Sequence, residues 1–91
     1  MTSASRRVTI CNARGLHARA AAKFVETAQR FDARIEVSRD GETVSADSIM
    51  ELLMLAASKG SQIGISSEGP EAEAAAATLA ELVEAGFHET D

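Results

Sequence analysis

One histidine of this sequence stands where a loop is predicted to give way to a helix. His17 follows Gly15 and precedes Arg19. The first backbone N–H groups of a helix have no partner within it, and together with the helix dipole they bind anions, phosphate above all. The same field disfavours a protonated imidazole, so at about pH 7 we expect the neutral, nucleophilic form. The position suits a histidine that accepts a phosphoryl group.

Two neighbours of this histidine fit the same chemistry. Arg19 can reach phosphoryl oxygens as a positive partner, and Gly15 permits a tight turn that keeps side-chain bulk away from an incoming donor. Phosphoryl transfer asks mainly for positioning and charge stabilisation, which a shallow surface site provides. A lone histidine at a helix start is usually a plain surface residue, so the spacing alone does not establish the chemistry.

The hydrophobic pattern predicts seven elements in the order β-α-β-β-α-β-α. Strands are indicated by alternation of apolar and polar residues, and helices by apolar stripes that recur every three or four residues. The predicted strands are 8–12, 34–38, a short return strand around Val44, and 62–66; the predicted helices are 17–30, 48–58, and one that Gly69-Pro70 opens and that ends near Gly86. Asp40-Gly41 favours a type I′ hairpin, because both central positions of that turn need positive φ.

This pattern predicts the fold class. Clean alternation in each strand means that one face of the sheet is buried and the other solvated. Three amphipathic helices would cover the buried face, and no linker or internal repeat divides the chain. We therefore predict an α+β two-layer sandwich that forms a single domain over residues 1–91.

A local motif adds a resemblance to a known family. The run Gly-Leu-His-Ala-Arg-Ala-Ala over residues 15–21, followed by Phe24-Val25, resembles the active-site signature of HPr. HPr is the histidine phosphocarrier of the bacterial phosphoenolpyruvate-dependent phosphotransferase system. The likeness extends to the chain length, the order of elements, the Ser48-Ile49-Met50 helix start and the terminal helix.

The resemblance implies a role for each of the motif residues. It implies that His17 is phosphorylated through Nδ1 and that Arg19 helps to balance the phosphate charge. It also implies a four-stranded antiparallel sheet with its helices on one face. Phosphorylated Enzyme I would be the donor, and IIA proteins would be the acceptors. The family usually has proline where this sequence has Ala20, the best helix former, so we expect little effect on the chemistry and a modest one on the helix start.

Several segments distinguish the branches of this family. They resemble the nitrogen-related branch, in which the relay is mostly regulatory, more than the sugar-transport branch. These segments are Leu53-Met54-Leu55, Lys59-Gly60, Gly69-Pro70 and Gly86-Phe87.

A second candidate site lies at the start of the middle helix. Ser48 and Glu51 have the spacing of a capping box, and an N-cap role alone could explain the serine. The resemblance adds that Ser48 matches the serine that a dedicated kinase/phosphorylase modifies in some HPr proteins. The apolar residues of this helix cover more than one stripe, so some should face a partner. By resemblance, the docking patch consists of Lys23, Ile49, Met50 and Leu53.

Composition excludes several other classes. A net charge of −5 and only three aromatic residues argue against nucleic-acid binding. No signal peptide or membrane span is visible, and a single cysteine, Cys11, fits a reducing compartment. We find no metal-ligand spacing, no phosphate-binding glycine loop and no nucleophile triad. Together with the resemblance to HPr, these observations lead us to expect a cytoplasmic, monomeric carrier that is not an enzyme and needs no cofactor or metal. We expect His88 to lie in a frayed acidic tail.

Two rival functions remain. Asp47-Ser48-Ile49-Met50 superficially resembles the prosthetic-group site of acyl carrier proteins, which are small and acidic but all-helical. The predicted strands argue against that class, and measurable sheet content would remove it. The other rival is a binding module of the same fold that relays no phosphate, and the intact His17 and Arg19 argue against it.

Overall fold

The computed structural model describes residues 2–89. Its strands are β1 (Ser3–Thr9), β2 (Arg34–Arg39), β3 (Glu42–Ser45) and β4 (Gln62–Glu68), and its helices are α1 (Ala18–Ala28), α2 (Ile49–Met54) and α3 (Ala72–Glu84), followed by a short turn at Gly86–His88. The strands form one antiparallel sheet in the order β1-β4-β2-β3. The predicted fold class and order of elements are confirmed.

The buried face of the sheet carries the alternating apolar residues. Val8 of β1 lies opposite Ile63 of β4, and Val37 of β2 lies opposite Ile65. All four side chains are buried. The three helices and the turn after α3 supply the other half of the core. Their largest fully buried side chains include Phe24, Leu52, Leu79, Val83 and Phe87. The four-stranded sheet excludes the all-helical acyl carrier class.

The hairpin between β2 and β3 forms as the turn residues predict. Asp40 and Gly41 both have positive φ, of 49° and 87°. Arg39 pairs with Glu42 across the turn. A two-residue turn of this type matches the twist of the strands that it joins.

The first strand begins and ends earlier than predicted. We expected it over residues 8–12, but β1 runs from Ser3 to Thr9. Most side chains of β1 are polar and exposed, because β1 is an edge strand with one solvated face. The first half of the strand therefore lacks the apolar alternation by which a strand is predicted. Backbone pairing with β4, from Ser3↔Glu68 to Thr9↔Gln62, defines it instead.

The middle helix is shorter than predicted. It ends at Met54 rather than near residue 58, and Lys59-Gly60 is not its stop. The chain leaves the helix at Ala56, which has a φ of 51°. The carbonyl of Ala57 then accepts the N–H of Leu16 at 2.9 Å, a contact that a continuing helix would not allow.

The last helix also begins later than its turn residues suggest. Pro70 lies outside α3, whose N-cap is Glu71 and whose first residue is Ala72. The N–H of Ala72 donates to the carbonyl of Gly69. Gly69 and Pro70 thus form the turn that leads into the helix rather than its first turn.

Candidate functional site

His17 is the N-cap of α1. Its backbone is extended, with φ −81° and ψ 179°, and its Nδ1 accepts a hydrogen bond from the backbone N–H of Arg19 at 3.2 Å. Its carbonyl accepts the N–H of Ala21 at 2.8 Å. The imidazole itself therefore occupies the place where an N-capping oxygen normally sits, at the positive end of an 11-residue helix.

The loop before the histidine depends on Gly15. Its φ is +66°, and a Cβ added there would lie 2.7 Å from the carbonyl oxygen of Ala57 and 2.9 Å from Cα of Ser58. Because the loop packs this closely against the segment that follows α2, no side chain fits. Gly15 therefore allows the loop to pack directly against this segment.

The other ring nitrogen of His17 contacts a residue that was not among the predicted site residues. Nε2 lies within hydrogen-bond distance of Oε2 of Glu89. The second oxygen of that carboxylate, Oε1, accepts a hydrogen bond from Nδ2 of Asn12 at 2.9 Å, and Nδ2 also donates to the carbonyl of Gly15 at 2.8 Å. The side chains of His17 and Glu89 are only 17 % and 11 % exposed, and Asn12 is buried.

The chain end that carries Glu89 is folded, which corrects the prediction of a frayed tail. Gly86, Phe87 and His88 have positive φ in succession and reverse the chain after α3. Phe87 is fully buried, and its carbonyl accepts a hydrogen bond from Nζ of Lys23 at 2.7 Å. Only the side chain of His88 is exposed as expected; Thr90 and Asp91, the rest of the predicted tail, lie outside the described residues.

One sequence signal could have pointed to this arrangement. An apolar residue directly after a helix-ending glycine commonly packs back onto the helix, and Phe87 follows Gly86 in this way. That signal predicts a packed chain end. It does not predict that Glu89 meets His17, because the two residues are far apart in sequence.

The electrostatics of the site keep Glu89 ionised. The hydrogen bond from Asn12 is the largest effect that lowers the pKa of Glu89 below its ordinary value of 4.5, and the hydrogen bond to His17 adds to it. Desolvation opposes these effects, and electrostatic interactions with His17 and Arg14 lower the pKa of Glu89 further. A carboxylate therefore faces Nε2 at neutral pH. The guanidinium group of Arg19, by contrast, belongs to an exposed residue at the start of α1.

Neither a metal-binding cluster nor a membrane-spanning helix is found among the described residues. Within residues 2–89, no three His, Cys, Asp or Glu side chains lie close enough together to hold a metal ion. None of the helices in the same part of the chain has the length and apolar character that a membrane crossing requires.

Comparison with known proteins decides the family. Residues 4–85 match the family model of the PTS HPr component phosphorylation site. The chain is 44 % identical to the phosphocarrier protein NPr of Shewanella violacea, over 98 % of both chains. It is 45 % identical to the phosphocarrier protein HPr of Pseudomonas aeruginosa, over 90 % of this chain and 92 % of that one. The chain belongs to the HPr family of phosphocarrier proteins.

Solved HPr structures show the same fold. An HPr from Thermoanaerobacter tengcongensis superposes with a TM-score of 0.88 at 40 % identity, and all of both chains is covered. An HPr dimer from the same organism gives 0.76 at 43 % identity, over 90 % of this chain and 94 % of that one. HPr proteins are carriers rather than catalysts. The prediction that the chain belongs to this family, and the prediction that it is a carrier and not an enzyme, are therefore confirmed.

Ser48, the serine that the HPr resemblance selects, caps α2. Its Oγ accepts the N–H of Glu51 at 3.2 Å, which is half of the predicted capping box. The other half does not form, because the carboxylate of Glu51 accepts the N–H of Ser45 at 3.2 Å instead of that of Ser48. Ser48 is half-buried, so its hydroxyl serves the helix and remains near the surface.

The residues predicted as an HPr docking patch differ in exposure. Met50 is 71 % and Ile49 39 % exposed, whereas Leu53 is half-buried against the core. Met54, which the prediction did not include, is 69 % exposed. Lys23 is half-buried, and its ammonium group is engaged by the chain end.

The family proline is absent without visible cost to the helix. Ala20 is the third residue of α1 and is fully buried. The helix starts at Ala18 with His17 as its cap. A good helix former therefore takes the place of proline in the first turn.

Proposed function

We propose that this chain accepts a phosphoryl group on Nδ1 of His17 from phosphorylated Enzyme I and passes it to IIA proteins. The observation that carries the proposal is the capping geometry, in which Nδ1 faces the backbone N–H of Arg19 at 3.2 Å at the N-terminus of α1. A phosphoryl group on Nδ1 would enter the region where free N–H groups and the helix dipole stabilise a dianion. The exposed Arg19 side chain would balance its remaining charge.

The test is phosphorylation by phosphoenolpyruvate, magnesium and Enzyme I from the same organism. His17→Ala is the loss-of-site variant, and His88→Asn, which removes an exposed histidine but tolerates the positive φ at that position, is the matched control. We expect acid-labile phosphate on the wild type and on His88→Asn but not on His17→Ala. If active Enzyme I transfers no phosphate to the wild type, the chain is not a carrier in this relay.

Regulation at Ser48 is a second part of this proposal. A phosphoserine at a helix N-terminus is compatible with the helix dipole, and Ser48 is the N-cap of α2. The added charge would lie beside the exposed Ile49 and Met50 and would disfavour docking there. A kinase/phosphorylase from the same organism that modifies wild type but not Ser48→Ala would establish the site.

Resemblance supports the nitrogen-related branch for this chain. The 44 % identity to an NPr spans nearly the whole of both chains, and the Gly86-Phe87 ending of this branch is the pair that folds onto Lys23. We propose a mainly regulatory output in the cytoplasm, with the monomer as the active form. Transfer to a nitrogen-related IIA protein that is faster than transfer to a sugar-specific one would support the branch.

One observation favours the rival, a binding module that relays no phosphate. Met50 and Met54 are large apolar side chains that are mostly exposed on α2, and methionine suits surfaces that meet several partners. This rival predicts that His17→Ala is harmless in cells whereas Met50→Glu is not. The opposite ranking would exclude it.

A further inference from the structure

We propose that Glu89, held in place by Asn12, is a positioning residue that leaves Nδ1 of His17 as the phosphate-accepting nitrogen and neutralises the ring once it is phosphorylated. This inference rests on the proposed function, because it assigns a role at the same histidine. It starts from the contacts of the folded chain end, which bring a carboxylate to the Nε2 edge of the ring.

The hydrogen bonds determine which ring nitrogen carries the proton. Asn12 donates through Nδ2 to the carbonyl of Gly15 and to Oε1 of Glu89, so its amide orientation is defined by two acceptors. The ionised carboxylate of Glu89 can only accept, so Nε2 must donate to it. Nδ1 is then unprotonated and accepts the N–H of Arg19. Together these hydrogen bonds favour one tautomer of His17, in which Nε2 carries the proton and Nδ1 carries the lone pair.

The same contacts restrict where phosphorus can bond. The carboxylate covers the Nε2 edge, and its negative charge repels an incoming phosphoryl group. The Nδ1 edge faces backbone N–H groups and Arg19, which attract it. We infer that Glu89 contributes to the choice of nitrogen as well as to the orientation of the ring.

The carboxylate also suits the charge change of the transfer. The lone pair of Nδ1 forms the new P–N bond while the bond between phosphorus and the donor breaks, and its electron pair leaves with the donor. The ring keeps its Nε2 proton and becomes a cation, which Glu89 faces directly. When the next acceptor attacks phosphorus, the P–N electron pair returns to Nδ1, and a neutral imidazole departs. A carboxylate that faces the Nε2 proton stabilises the cationic, phosphorylated ring and so favours the first step, and it keeps the proton on Nε2 through the second.

Glutamine cannot replace this glutamate without loss. A carboxylate accepts from both of its neighbours, Asn12 and His17, whereas a carboxamide has one acceptor oxygen and one donor NH₂. If the oxygen of the glutamine accepts from Nδ2 of Asn12, its NH₂ faces the N–H of Nε2 of His17, and the reverse orientation places the NH₂ against Nδ2 of Asn12. Glu89→Gln therefore preserves size but forces either the Asn12 contact or the favoured tautomer to break.

The test uses phosphoramidate, a small donor that phosphorylates imidazoles without Enzyme I and releases ammonia when its P–N bond breaks. The proteins are the wild type, Glu89→Ala, Glu89→Gln and Glu81→Gln, which removes an exposed carboxylate of α3 as the matched control. NMR of the product identifies the phosphorylated nitrogen. Circular dichroism establishes that each variant is folded, and transfer from Enzyme I is measured on the same samples.

We expect phosphate on Nδ1 alone in the wild type and Glu81→Gln. In Glu89→Ala and Glu89→Gln we expect a second product on Nε2, and transfer from Enzyme I that is slower by roughly tenfold. A folded Glu89→Ala that is phosphorylated on Nδ1 alone, at the wild-type rate, would overturn the inference. If instead the wild type reacts with phosphoramidate on Nδ1 but takes no phosphate from Enzyme I, the proposed relay fails while the assignment of Glu89 can still be judged from the products.

Discussion

The ammonium group of Lys23 donates to the backbone carbonyl of Phe87 at 2.7 Å. Lys23 lies on α1 and Phe87 in the turn after α3, so this contact joins the helix that His17 caps to the segment that carries Glu89. The resemblance to HPr predicts that Lys23 belongs to a docking surface. In the structure it also holds the chain end against the helix, and a substitution at this residue therefore changes more than a partner contact.

Replacing Lys23 with methionine should loosen the chain end. Methionine keeps the aliphatic stem but leaves the Phe87 carbonyl without its charged donor, which should cost about 1 to 2 kcal/mol of unfolding free energy. Amide hydrogen exchange at 86–89 should accelerate, as measured by mass spectrometry. The same change at the exposed Lys59 is the control and should affect neither quantity. Unchanged exchange at 86–89 in Lys23→Met would contradict the anchoring role.

Alanine at Gly15 should destabilise the fold strongly. A Cβ there would meet the Ala57 carbonyl at 2.7 Å at a φ of +66°, so we expect a loss of about 2 to 4 kcal/mol, measured by denaturant unfolding. Gly41→Ala is the matched control. Its φ is also positive, but nothing lies within 4 Å of the added Cβ, so only the backbone strain of about 1 kcal/mol remains. Equal losses at the two glycines would show that the close packing at Gly15 has no energetic weight.

Two substitutions at Ser48 should separate its capping role from its regulatory one. Ser48→Ala removes the acceptor for the Glu51 N–H and should cost about 1 kcal/mol. Ser48→Asp retains an N-capping oxygen and should leave stability near that of the wild type, but weaken binding to Enzyme I by roughly fivefold through its charge. Thr43→Asp on β3 adds the same charge at another exposed position. Titration calorimetry that gives one affinity for all of these proteins would argue against a charge-sensitive docking surface at α2.

Reversing the charge of Arg19 should slow phosphoryl transfer without unfolding the protein. The side chain is exposed at the start of α1, so we expect a change in unfolding free energy of no more than about 0.5 kcal/mol. The rate of transfer from Enzyme I should fall by about tenfold to a hundredfold, because a negative charge would face the phosphoryl oxygens. Arg30→Glu, beyond the other end of α1, should transfer at the wild-type rate. A wild-type rate in Arg19→Glu would refute the charge-balancing role.

The contribution of Glu89 to stability should depend on pH. Its pKa in the folded chain is lowered below the ordinary value of 4.5, chiefly by the hydrogen bond from Asn12. The ionised carboxylate therefore contributes stability above the unfolded pKa, and that contribution is lost as the pH falls through the lower folded value. The gap in unfolding free energy between wild type and Glu89→Gln should be steady near neutral pH and shrink below 4.5. Denaturant unfolding between neutral pH and about pH 3 would measure it, and a gap that is constant throughout would contradict the prediction.

Much of the fold could be predicted from local patterns. Alternation at Ile35 and Val37, the turn pair Asp40-Gly41 and the stripe of α1 each depend on residues close in sequence. The same holds for His17, whose place at a helix start follows from the change of hydrophobic period next to it. Local physics determines these features, so a sequence pattern is sufficient to locate them.

The features that could not be predicted depend on distant partners. The end of α2 is set by the hydrogen bond between Leu16 and Ala57, which are remote in sequence. The polar first half of β1 becomes a strand only because β4 pairs with it. In the sequence, Glu89 is one acid of an acidic segment, and its contact with His17 follows from the turn after α3. Each of these requires the tertiary structure.

The two ends of the described chain differ in how an attached label would affect the protein. β1 starts at Ser3 beside Glu68 and ends at Thr9 beside Gln62. Because the strand has seven residues, its first residue lies about 20 Å from its last, which leads into the loop before His17. Glu89, in contrast, contacts the imidazole itself. A dye, affinity tag or surface linkage placed before β1 should therefore report on the protein without disturbing it, whereas one placed directly after Glu89 would crowd His17.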